Sequence, residues 1–193
     1  MSASILLLHV KTTGHVLAAA TVAAPLDGEV KPEMLAGQAL PVRHNGDPSA
    51  SVFTGPVVTI PASELSILSV DTAVVSIAAA RATFIELEKN TPHPLLFTAT
   101  RKPTVHASNA NSITIRFRPD AMTKTTVWVH VDPINPASAS LPVLLQKVSA
   151  EVTPPNTTVD IDVVLALNIL PPGDYGVLAL IPGYVPLLQK ITI

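Results

Sequence analysis

From Thr157 to Leu167 the odd positions Val159, Ile161, Val163, Leu165 and Leu167 are apolar, while Thr158, Asp160 and Asp162 stand between them. A two-residue period sends alternate side chains to opposite faces of an extended chain, so this stretch predicts a strand with one face on a core. Pro171, Pro172 and Gly173 stop it. Tyr175 then restarts the pattern with Val177, Ala179 and Ile181, Pro182 and Gly183 break it again, and Leu187, Ile191 and Ile193 supply a last strand. Proline lacks an amide proton and glycine permits unusual backbone angles, so such pairs end strands and make turns. The C-terminal stretch predicts three strands in a row, a meander.

The rest of the chain repeats this grammar. Ile5 to Val10 and His15 to Val22 are apolar runs joined by Lys11-Thr12-Thr13-Gly14, which predicts a hairpin whose glycine takes a positive φ. A loop with a short helical turn at Glu33 to Ala36 leads to an edge strand at Ala39 to Arg43. A turn follows at His44 to Pro48, then an extended run at Ser51 to Ile60 and a strand at Leu65 to Val70. Thr72 to Lys89 mixes alanine, a helix former, with Val, Ile, Thr and Phe, which prefer strands, and is read as two strands. Asn90 to Pro94, with two prolines, marks a boundary. The expected organisation is an N-terminal β-domain over 1–92 and a C-terminal one over 93–193. The second has strands at Leu95 to Thr100, Ser112 to Arg118, Thr125 to Val131 and Leu141 to Val148, followed by the three already described. The fold class is all-β, two antiparallel β-sandwich-like domains.

Composition bounds what such a chain can do. Charged residues make up only 13 % of the 193 residues, against about 25 % in typical globular domains. Low surface charge costs solubility in a free monomer, so part of the surface is expected to be covered by other subunits. A net charge of −2 with scattered lysines and arginines leaves no basic stripe for nucleic acid. With no cysteine, thiolate chemistry and disulfides are excluded. No apolar run is long enough to span a membrane as a helix; the nearest, Ser63 to Ala80, contains Glu64 and Asp71. The start, Met1 to Lys11, has no basic residue ahead of a short apolar run, so no Sec signal is read there and the expectation is cytoplasmic synthesis followed by assembly, with the final compartment open.

The run Leu170-Pro171-Pro172-Gly173-Asp174-Tyr175 resembles the corner between the fifth and sixth strands of immunoglobulin-like and fibronectin type III sandwiches, where a tyrosine after a Pro/Gly turn ties the corner together. Similar wording also occurs in carboxypeptidase regulatory-like, or transthyretin-like, domains, which are non-catalytic. The resemblance covers residues 95–193, implies an immunoglobulin-like domain of about seven strands, and carries no functional residues. It supplies a test of register. If the second and fifth strands pair antiparallel, the outward Arg116 and Arg118 lie beside the outward Asp160 and Asp162. Ile113, Ile115 and Phe117 then share the inner face with Ile161, Val163 and Leu165.

Site chemistry is sparse. Asp160, Asp162 and Asp174 could serve a hard cation, but there is no calcium-loop motif and the arginines already account for two of them. The histidines never fall at metal-ligand spacing, although His9 and His15 could face each other across the first hairpin. Glu86 and Glu88 share a strand face and could in principle be paired carboxylates, with a solvated face the simpler reading. No serine sits in a nucleophile elbow. Asn156-Thr157-Thr158 matches a glycosylation sequon, which chance also supplies. In Thr126-Val127-Trp128-Val129-His130-Val131 the valines take the core face, leaving Thr126, Trp128 and His130 outward. An outward tryptophan suits a subunit interface or a sugar platform; alternatively its own chain covers it, through the Pro-rich loop at Asp132 to Pro142. The reading that fits best is a non-enzymatic structural subunit of a larger assembly, such as a phage or contractile-tail-like particle or a surface array, built of homo-oligomeric or other protein contacts without a cofactor or metal. A carbohydrate-binding or other ligand-binding module is the alternative, and a hydrolase with a dispersed site the third.

Overall fold

The structure is a computed structural model that describes residues 4–22, 29–43, 56–94, 103–109, 111–134 and 146–193. Within these the chain is all-β, in several antiparallel sheets. It divides into two compact units, one of residues 1–40 and 60–96, the other of residues 41–59 and 97–193. No helix among the described residues is long and apolar enough to cross a membrane.

The first unit is built on β1 (Ser4–Val10), which lies between β2 (Val16–Val22) and β5 (Leu65–Asp71). Every residue of β1 from Ile5 to Val10 is buried, which explains why its sequence is a continuous apolar run and not an alternation. Ile5 and Leu7 pack with Val16, Val75, Ala80 and Ile85. The β1–β2 turn ends on Gly14 at φ 72°, a left-handed conformation that costs glycine nothing. Glycine is also required for space: a Cβ there would sit 2.0 Å from the Ile85 carbonyl oxygen. Between these strands run the short helix α1 (Pro32–Ala36), with proline in its first turn, and the ribbon of β3 (Ala39–Arg43) and β4 (Val57–Pro61), through which the division of the chain passes.

Thr72–Lys89 departs from the expected two strands. Thr72 to Ala79 is turn and irregular structure and Ala80–Ala82 a 3₁₀ turn; only Thr83–Glu86 is a strand, β6, paired with β7 (Thr91–Pro94). The alanine-rich run offers small side chains to the core at Ala80 but no alternation that a strand could use.

The second unit is a sandwich. Among the described residues one sheet holds β8 (Thr104–Asn109), β9 (Ser112–Phe117) and β12 (Ile161–Ala166), in the order β12-β9-β8. The other holds β10 (Thr125–Pro133), β11 (Gln146–Val152), β13 (Asp174–Leu180) and β14 (Leu187–Thr192), in the order β11-β10-β13-β14. Their inner faces share one core. Ile113, Ile115, Phe117, Val163 and Leu165 come from the first sheet, and Val127, Val129, Val131, Tyr175, Val177 and Ala179 from the second. Phe117 meets Tyr184 edge to face at 5.6 Å between ring centroids, a favoured aromatic geometry.

Two sequence expectations need correction here. The three C-terminal strands are not one meander: β12 pairs with β9, and after Pro171–Gly173 the chain crosses to the opposite sheet to form β13 and β14. Among the described residues this sandwich begins with Thr104–Asn109, a weakly apolar segment after Pro103 that the sequence pattern does not predict as a strand; the expected strand at Leu95 to Thr100 lies outside the described residues, as does the first part of Leu141 to Val148. β11 joins the sheet of β10 and not that of β12, unlike the four-plus-three division of immunoglobulin constant domains.

Candidate interaction surface

On the outer face of the first sheet, β9 and β12 pair antiparallel with Asp162 opposite Arg116 and Val163 opposite Ile115. Arg116 donates from Nε to Asp162 Oδ1 at 2.7 Å and from Nη2 to Oδ2 at 2.8 Å; Arg118 Nε donates to Asp160 Oδ1 at 3.1 Å. Hydrogen bonds from Arg116 hold the Asp162 carboxyl below the usual carboxylate range, and Asp162 in turn raises the Arg116 guanidinium. The period of two that puts these four charges outward continues along β12 to Val164 and Ala166, which are equally open to solvent. Val164 is 62 % exposed, and just beyond the strand ends Val159 is 51 % and Ile169 78 % exposed.

The outer face of the second sheet is different in kind. Trp128 is half-buried, opposite Ser149 on β11 and Leu180 on β13, with the Lys147 ammonium 4.5 Å from its ring centroid. His130 points to the same side but is 1 % exposed, and its cross-strand neighbour Leu178 is fully buried. Thr126, partly exposed, lies opposite Glu151, which pairs with Lys124. The expectation of an accessible Thr126-Trp128-His130 platform is therefore corrected: parity puts all three on one side, but His130 is inside the protein and one face of the indole carries a cation. Further along, Asp132 Oδ2 accepts the Thr59 amide at 3.1 Å, and Gly176, directly opposite Asp132, leaves room for Val57 and Val58, whose atoms a Cβ would meet at 3.1 Å. A segment far away in sequence thus lies on this face.

The candidate carboxylates and histidines do not converge. Asp174 is engaged by Lys190 at 2.6 Å and by the Thr192 hydroxyl at 2.7 Å on β14, with Lys190 the larger cause of its lowered pKa, whereas Asp160 and Asp162 belong to the other sheet. β6 ends at Glu86 and Glu88 lies in the following turn, so the two do not share a strand face; Glu86 binds Lys89 at 2.7 Å and His93 at 2.9 Å, and Lys89 is the main cause that lowers its pKa. His9 and His15 are both buried: His9 lies opposite Val16 with Nδ1 3.3 Å from the Val10 carbonyl, and His15 Nδ1 is 2.8 Å from the Thr13 hydroxyl. Burial lowers the His9 pKa. Among the described residues no three His, Cys, Asp or Glu side chains group to hold a metal. Asn156 folds its Oδ1 back onto the Thr158 and Val159 amides at 3.0 and 3.1 Å, a turn of the kind asparagine makes in loops.

The residue that sequence reading passed over is Val164. Its signal was present: outward positions read Asp160, Asp162, Val164, Ala166, so the polar half of the alternation stops midway along the strand. No protein-family model matches this chain, and no curated protein or solved structure is significantly similar to it.

Proposed function

We propose that this chain is a non-enzymatic structural subunit that builds a larger assembly by ordered contacts between copies. The observation that carries the reading is the outer side of β12. In a chain with only 13 % charged residues, its two aspartates are bound by arginines of the same chain, and Val164 and Ala166 beside them are exposed, as are Val159 and Ile169 beyond the strand ends. Charge neutralised in place next to exposed apolar surface is poor at repelling a neighbour and good at receiving one. Electron microscopy of the concentrated protein tests this reading: regular multimers or arrays are expected, and a field of single 20.2 kDa particles at every concentration would count against it.

A further inference from the structure

We infer that the outer edge of β12 is where two copies of this chain pair, antiparallel about a two-fold axis through Val164; the inference rests on the structural-subunit reading and names the surface it uses. Among the described residues β12 is an outermost strand of its sheet. The direction of its backbone groups follows from one bond: the Leu167 amide donates to the Asn111 carbonyl at 2.8 Å, toward the β9 side. In an antiparallel ladder this direction alternates with each residue, so Leu165, Val163 and Ile161 also turn inward to β9, and Asp162, Val164 and Ala166 turn their N–H and C=O groups outward along the edge. The same three residues project their side chains to the outer face and are exposed.

Edges of this kind are normally guarded by charge, bulges or proline. β11, an outermost strand of the second sheet, carries two charged residues, Lys147 over Trp128 and Glu151 paired with Lys124. β12 carries one charged residue within the strand, Asp162, held by Arg116, and next to it on the same face the apolar Val164 and Ala166.

The occupant is a second copy because the edge is complementary to itself with Val164 at the axis. With Val164 opposite Val164 of the second copy, Asp162 falls opposite Ala166, so no like charges meet and no unpaired carboxylate is covered. Carried one step past the strand ends, the same register sets Asp160 beside Asn168 and sets exposed Val159 against exposed Ile169 of the second copy. Shifting the centre to Asp162 would instead oppose two carboxylates, which disfavours pairing. The result is one continuous sheet, β8-β9-β12 extended by β12-β9-β8 of the second copy, with isologous contacts on both sides of the axis.

The absence of native cysteine makes the test specific. In a hydrogen-bonded antiparallel pair the two Cα atoms at the axis lie about 5.5 Å apart, within the range a disulfide spans. The variant Val164→Cys is expected to form disulfide-linked dimers as its major product under mild oxidation. Val159→Cys serves as control, because five residues from the axis the two copies of that position are about 34 Å apart, and it is expected to stay monomeric on a non-reducing gel. The variant Val164→Lys, a charge added at an exposed site, is expected to leave thermal unfolding unchanged and to lower the solution mass at least two-fold at concentrations where the native chain associates. Association of the native chain with no effect of Val164→Lys and equal cross-linking of both cysteine variants would overturn this edge and leave the structural-subunit reading standing. A native chain that is monomeric throughout, with no preferential cross-linking at Val164, would overturn both.

Discussion

Arg116 grips Asp162 across directly opposed positions of β9 and β12 with two hydrogen bonds of 2.7 and 2.8 Å. The geometry is the two-pronged fit of a planar guanidinium to a carboxylate, which a lysine could not reproduce. Because the folded-state pKa of Asp162 is depressed, the pair contributes stability above the unfolded carboxylate pKa and loses it as the pH falls through the lower folded value. The side-chain titration of Asp162, followed by NMR, is expected to have its midpoint below that of an ordinary aspartate. In Arg116→Gln the midpoint is expected to rise toward the ordinary value; an unchanged midpoint would show that another group sets it. The contribution is open to solvent and is expected to weaken with salt.

How much of this could be read from sequence depends on whether the information was local. The β9–β12 register could be read because two arginines and two aspartates on matching parity leave one alignment that satisfies both faces. Strand β8 was harder, since a segment reading Thr-Val-His-Ala-Ser-Asn is only weakly apolar, and its place in the sheet comes from pairing with β9. The burial of His130 could not be read at all: parity correctly puts it on the outer face, but whether that face is covered depends on segments distant in sequence, of which Pro56 to Thr59 is one laid across the neighbouring Gly176 and Asp132. Thr72–Lys89 misled because its β-branched residues favour strands one by one, while the segment lacks the alternation that would give a strand one buried face, and only Thr83–Glu86 finds a strand partner.

Tyr175 donates its hydroxyl proton to the Pro171 carbonyl at 2.7 Å, closing the corner through which the chain changes sheets. Its ring is buried in the shared core, and burial raises the phenol pKa. Tyr175→Phe keeps the ring and leaves that carbonyl without this donor, at a cost of about 1 kcal/mol. Tyr175→Ala also removes the packing, at about 3–5 kcal/mol. Chemical denaturation of both variants is the measurement, and equal losses would mean that the hydroxyl, not the ring, carries the corner.

Gly14 and Gly37, both in the first unit, have positive φ of 72° and 65°. They differ in what surrounds them. A Cβ on Gly37 meets nothing within 4 Å, whereas one on Gly14 would collide with the Ile85 carbonyl, whose own residue donates its amide to the Gly14 carbonyl at 2.7 Å. Gly37, with ψ of −141°, lies outside the left-handed helical region in a conformation almost reserved for glycine, and Gly37→Ala is expected to cost about 1–3 kcal/mol of backbone strain. Gly14→Ala is expected to cost about 3 kcal/mol or more, through strain plus the lost hydrogen bond. Hydrogen exchange at the Ile85 amide distinguishes them: protection is lost in Gly14→Ala and kept in Gly37→Ala.

Trp128 is the only tryptophan, so its emission reports the outer face of β10 without interference. Lys147→Ala uncovers one side of the indole, and a red-shifted emission with stronger acrylamide quenching is expected, together with a stability loss of about 0.5–1 kcal/mol. An unchanged spectrum would mean that Lys147 does not shield the ring in solution.

The most direct measurement of the whole reading is the mass of the native protein in solution, by light scattering over a concentration series. Masses that rise above 20.2 kDa toward dimers and larger multiples as concentration increases are expected of a subunit that pairs through β12. A constant 20.2 kDa at all concentrations would contradict self-assembly.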